Sequence, residues 1–163
     1  MRSLLATISA IAIAAGSANA SAAVKVNFLG PEHYADIGSH TKDRVRNLQE
    51  IEREFQTLGE RYLAAGQTLT IDVLDVDLAG RLEPWHVTSN DVRYMREVTW
   101  PQMKLRYTLQ SADAPSLQGE ETLSDRSYLQ IPNTNYSEKL PYEKRMLGRW
   151  FRARFVEHRP PPN

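Results

Sequence analysis

Between Asp43 and Leu63 the chain carries one narrow apolar stripe, and that stripe limits what the chain can build. Leu48, Ile51, Phe55, Leu58 and Tyr62 fall within an arc of roughly 80° at 100° per residue, the pattern of an amphipathic helix. The other faces hold Arg44, Arg46, Arg53 and Arg61 against Glu50, Glu52, Glu54 and Glu60, so they are solvated. Such a helix can pack on one surface only, and its flanks offer a sheet for it to cover. Val24, Val26 and Phe28 alternate with Lys25 and Asn27, which predicts a first strand stopped by Gly30-Pro31. His33 to Lys42 reads as an irregular connection. After the helix, Ala65-Gly66 has the composition of a left-handed cap.

Thr68 to Leu78 is the strongest strand, and its phase switches. Leu69, Ile71 and Val73 lie on one face, whereas Leu74, Val76 and Leu78 fall on the other. A strand buried on both faces would explain this, as would a bulge near Val73-Leu74. The bulge is preferred, because Asp72, Asp75 and Asp77 would be costly in a doubly buried strand. Gly80 to Pro101 is polar and broken, with a helical turn suggested after Ser89-Asn90-Asp91. Met103, Leu105, Tyr107 and Leu109 alternate with polar residues as a third strand. A turn over Ser111 to Ser116 leads to a weaker fourth strand, Leu117 to Asp125, and the two should form a hairpin. Asn133 to Ser137 is read as loop. Pro141 opens a last helix at its tolerated first position, running to about Val156. The order β-α-β-β-β-α predicts an α+β single domain. Its sheet is four-stranded and mixed, with the first two strands parallel through a right-handed crossover, the last three a meander, and both helices on one face.

The first twenty residues have a different character. Met1-Arg2 is a short positive start, Leu4 to Ala15 is uncharged and apolar, and Ala18-Asn19-Ala20 has the small-x-small pattern of a signal-peptidase site. The apolar run falls short of the ~20 residues that span a bilayer. Residues 1–20 are therefore expected to be a cleaved signal peptide, residues 21–156 the domain, and 157–163 a disordered proline-rich tail. The expected location is the periplasm. The whole chain holds 20 basic and 20 acidic residues, and cleavage removes only Arg2, leaving 19 against 20. A near-neutral chain has no global field to draw in nucleic acid. It has no cysteine, which excludes thiolate nucleophiles, cysteine-ligated zinc and iron–sulfur clusters.

Two runs then resemble a known family. Asp75-Val76-Asp77-Leu78-Ala79-Gly80-Arg81 with Glu83-Pro84-Trp85 is similar to the signature of an exported Gram-negative bacterial family known only as a domain of unknown function. Leu123-Ser124-Asp125, Leu140-Pro141-Tyr142-Glu143-Lys144, Met146-Leu147 and Trp150-Phe151 resemble its C-terminal half, and Val24 to Phe28 with Gly30-Pro31-Glu32 also fit. The resemblance covers essentially the whole mature chain. It implies membership and assigns no activity, catalytic residue or cofactor.

Catalytic grammar is missing beside this fold grammar. No serine lies in G-x-S-x-G, and no phosphate-cradling glycine motif occurs. His33, His40, His86 and His158 are isolated, so neither a metal site nor a cofactor is indicated. The acidic bend is one candidate site: Asp75, Asp77 and Glu83, with Arg81, Trp85 and His86 beside them. Strand residues i and i+2 point the same way about 6.8 Å apart, a spacing that suits an acid/base pair better than a Ca²⁺ site. The competing reading is structural: Asp77 caps the turn, Arg81 pairs with Asp75 or Glu83, and Pro84-Trp85 folds over the sheet. The last helix is the other candidate. Lys139 to Arg159 holds seven basic residues and two acids, and Arg145, Arg149 and Arg152 form a stripe opposite Met146, Leu147, Trp150, Phe151 and Phe155. That stripe could meet an anionic surface by weak peripheral membrane contact, meet a phosphate-bearing glycan, or be the solvated back of an ordinary packed helix. Arg154 falls inside the apolar arc, so it is either paired or past the helix end. The function expected is a non-enzymatic binding or structural module of the envelope, whose partner is an envelope protein or ligand. The alternative is a carboxylate-dependent hydrolase of an envelope polymer.

Overall fold

The computed structural model describes residues 21–83, 92–112, 114–131 and 137–159. The signal segment, Trp85, His86, the turn proposed after Ser89, most of the loop from Asn133 and the end of the proline-rich tail lie outside these residues. The chain runs β1 (Ala23–Phe28), α1 (Thr41–Tyr62), β2 (Thr68–Asp77), β3 (Arg81–Leu82), β4 (Arg93–Tyr94), β5 (Gln102–Ser111), β6 (Ala114–Ser124) and α2 (Pro141–Phe151). The order in the main sheet is β1-β2-β5-β6, with β1 and β2 parallel and the other neighbours antiparallel. The α+β fold with a four-stranded mixed sheet is therefore as the sequence predicts. A second, two-stranded sheet, β3 with β4, is inserted between β2 and β5, where the sequence reads only as broken loop.

Cross-strand rows explain which face is buried. Val26, Ile71, Tyr107 and Gly119 stand abreast, as do Phe28, Val73, Leu105 and Glu121, and these rows face the helices. Asn27, Asp72, Arg106 and Glu120 occupy the opposite, polar face. The β2–β5 register shifts between Val73 and Asp75, so Leu74 is the extra residue of a bulge. Because the strand rotates there, Leu69, Ile71, Val73, Val76 and Leu78 all reach one core, and the three aspartates escape double burial.

Both helices close over that face. Ile51, Phe55 and Leu58 of α1 and Met146, Leu147, Trp150 and Phe151 of α2 are buried in a single cluster with β2 and β5. Phe55 meets Trp150 edge-on at 6.2 Å, and Tyr62 lies 6.0 Å from Phe151.

Several local expectations change. Helix α1 stops because Leu63 leaves the helical region, and the left-handed Gly66 belongs to the following turn rather than to the cap. The turn over Ser111 to Ser116 is shorter than read, because Ser111 already pairs with Ala114. The connection before α1 is irregular, yet it is anchored: the Tyr34 hydroxyl donates to the Val73 carbonyl at 2.8 Å, and Tyr34 and Ile37 are core residues. Beyond Phe151 the last helix widens into a π-helical turn, Arg152–Val156.

Candidate functional site

The acidic bend is held from outside its own segment. Its centre is Arg93 on β4. That guanidinium donates from Nη2 to Asp36 Oδ2 at 2.7 Å and to the carbonyls of Leu78 at 3.3 Å and Gly80 at 2.8 Å. Its Nε donates to the Ala79 carbonyl at 3.0 Å. Beneath the bend lies Glu143 of α2, only 3% exposed, whose carboxylate accepts the Ala79 amide at 2.7 Å. Burial pushes the Glu143 carboxyl up from its ordinary pKa.

The bend's own acids are engaged in these contacts. Asp75 accepts the Ala35 amide at 2.8 Å and the Val76 amide at 2.9 Å, so it fastens the β1–α1 connection to β2. Asp77 lies 3.7 Å from Arg81, and burial raises its carboxyl too. Glu83 is buried and pairs with Arg96 at 2.8 Å. Arg81 thus meets Asp77. Arg93, Asp36, Arg96 and Glu143 are not among the site residues expected from the sequence, because each comes from another segment; Glu143 enters there only as part of the run Leu140 to Lys144. The only local hint was Glu143 in the first turn after Pro141, where an acid suits a helix start.

The arginine stripe of α2 divides. Asp125, 2% exposed, receives Arg145 Nη2 at 3.2 Å and Arg149 Nη2 at 2.6 Å. Arg145 also donates to the carbonyls of Tyr128 at 2.5 Å and Ile131 at 3.1 Å. Two members of the stripe are therefore committed inward, which corrects the picture of a solvated basic back, and Arg152 alone of the three is exposed. Arg154 meets both of its expectations: it sits in the π-helical turn and pairs with Glu121. Glu121 also accepts the Tyr107 hydroxyl and the Trp150 indole N–H, each at 2.9 Å. Burial, then the Glu121 bond, pushes the Tyr107 phenol up to about 12.

Beside the bend, where both helices begin, there is a cleft of about 360 Å³. Asp43, Arg46 and Asn47 of α1, Leu82 of β3, Arg93 of β4 and the pair Lys139-Leu140 line it, and Asp75, Asp77 and Glu83 do not. Among the described residues no group of three or more histidines and acids could hold a metal ion. Nor is any helix there long and apolar enough to cross a membrane.

These features define an α+β domain with two helices over one sheet face and a cationic cleft at the helix starts. Residues 22–153 match the model of the family described as "Protein of unknown function (DUF3016)", and the chain belongs to that family. A search of curated proteins found no match.

Proposed function

We propose that this protein is an exported binding module of the cell envelope that works without covalent chemistry. The observation that carries this reading is the engagement of the bend's carboxylates. Asp75 is an acceptor for two backbone amides, and Glu83 is buried against Arg96. The nearby cleft, by contrast, is lined by Arg46, Arg93 and Lys139 and by neither of these acids. Export is supported by the apolar run Leu4 to Ala15 and the small residues before Ser21. The alternative, a carboxylate-dependent hydrolase, draws on Asp77, whose raised pKa suits a proton donor. It needs a second acid across the substrate, and the acids nearest in sequence are held by other groups.

The test is expression of the full chain in a Gram-negative host, followed by fractionation. Mass spectrometry of the periplasmic fraction should show Ser21 as the N-terminus, and a retained Met1 would contradict export. Degradation of peptidoglycan by the purified protein, lost in Asp77→Asn with the fold intact, would favour the hydrolase.

A further inference from the structure

We infer that the cleft at the starts of α1 and α2 takes a small phosphate monoester, such as a phosphorylated sugar, contacted by Arg46, Lys139 and Arg93. This rests on the binding-module reading and names the ligand class for it. The charged side chains that line the cleft are three cations and one acid, Asp43. Asp43 does not consume Arg46: the two are 3.9 Å apart, and both side chains are nearly half exposed, so the pair is loose and screened. Lys139 is exposed at the lip.

Arg93 differs from these two. Its Nε and Nη2 are fixed by Asp36 and three carbonyls, whereas among the described residues Nη1 has only a 3.5 Å contact with Asp36. A guanidinium clamped on one side and under-used on the other is a pre-organised donor, which lowers the cost of binding an oxyanion.

Shape and the remaining lining residues extend the ligand beyond a bare ion. About 360 Å³ lies in the range of small-molecule sites and exceeds what a phosphate group fills. Leu82 and Leu140 supply apolar surface for a ring. The Asp43 carboxylate and the amide oxygen of Asn47, whose Nδ2 already donates to Ile37, are acceptors for hydroxyl groups. The charge pattern agrees with this. Lys42 and Arg44 share the first turn of α1 with the single acid Asp43, and the helix dipole there disfavours cations and favours an anion.

The experiment is titration calorimetry of the processed chain with glucose 6-phosphate, inorganic phosphate and glucose, alongside vesicles containing phosphatidic acid. Glucose 6-phosphate should bind saturably, more tightly than inorganic phosphate and more weakly as salt rises, while glucose should not bind. Arg46→Gln with Lys139→Gln should weaken binding about tenfold for each charge removed, the scale of a charge-assisted hydrogen bond. The melting temperature should hold, because both side chains are exposed. Binding only to phosphatidic acid vesicles, lost in the same variant, would assign the monoester to a lipid headgroup. Affinity unchanged in the double variant, no preference over inorganic phosphate, or no binding to any phosphate probe would overturn the inference. Those outcomes with Ser21 at the N-terminus leave the envelope reading standing, whereas a retained Met1 removes that reading whatever the cleft binds.

Discussion

Trp150→Ala separates a core helix from a surface-binding one. The indole is 1% exposed and sits edge-on to Phe55, Tyr107, Phe151 and Phe155 at centroid distances of 5.3–6.2 Å. Its Nε1–H donates to Glu121 Oε2 at 2.9 Å. Truncating a buried aromatic of this kind costs about 3–5 kcal/mol. At about 3 °C per kcal/mol for a domain of this size, the melting temperature should fall by about 10–15 °C. Trp150→Phe keeps most of the packing and loses the N–H. Glu121 retains Tyr107 and Arg154, so the loss should be near the low end for a charged hydrogen bond, about 1.5 kcal/mol. Thermal unfolding followed by near-ultraviolet circular dichroism, with urea titration as a check, resolves the two variants. A Trp150→Ala protein that melts within about 2 °C of wild type and has lost association with anionic vesicles would refute the argument and make α2 a surface element.

Gly59→Ala inverts the usual rule. A helical glycine normally gains about 1 kcal/mol on becoming alanine, but a Cβ here would overlap the Val24 Cγ2 methyl. Urea unfolding should show a loss of about 1–3 kcal/mol, recovered when Val24→Ala is added. Glu143→Gln tests the buried carboxyl. Because its folded pKa is raised, the native state binds the extra proton, so its contribution to stability is present below the unfolded value of about 4.3 and is lost as pH rises through the folded value. Wild type should therefore gain stability relative to Glu143→Gln as pH falls from 7 toward 4.5, and a constant difference in urea midpoints would refute this. Asp75→Asn should destabilise by about 1–3 kcal/mol, since it weakens the acceptor of the Ala35 and Val76 amides. Unchanged melting with altered ligand binding would instead make Asp75 a site residue.

Periodicity determined the two helices and the strands of the main sheet, but not the small β3–β4 sheet. The stripe from Leu48 to Tyr62 and the alternations around Val26, Ile71 and Leu105 follow from where adjacent side chains point. The phase switch at Val73-Leu74 located the bulge, because only an extra residue keeps all five apolar side chains on one face. What charged residues do was not legible in the same way. Arg145 and Arg149 form a surface stripe by spacing, yet a buried Asp125 from the end of β6 takes both. Asp75 and Asp77 form a carboxylate pair by spacing, yet Ala35 and Arg81 engage them, and Arg93 ties together the turn that follows. The physical reason is one of range. An apolar side chain is satisfied by any apolar wall, so its local pattern announces its fate. A charge needs a particular partner, and only the tertiary structure decides which distant segment delivers it.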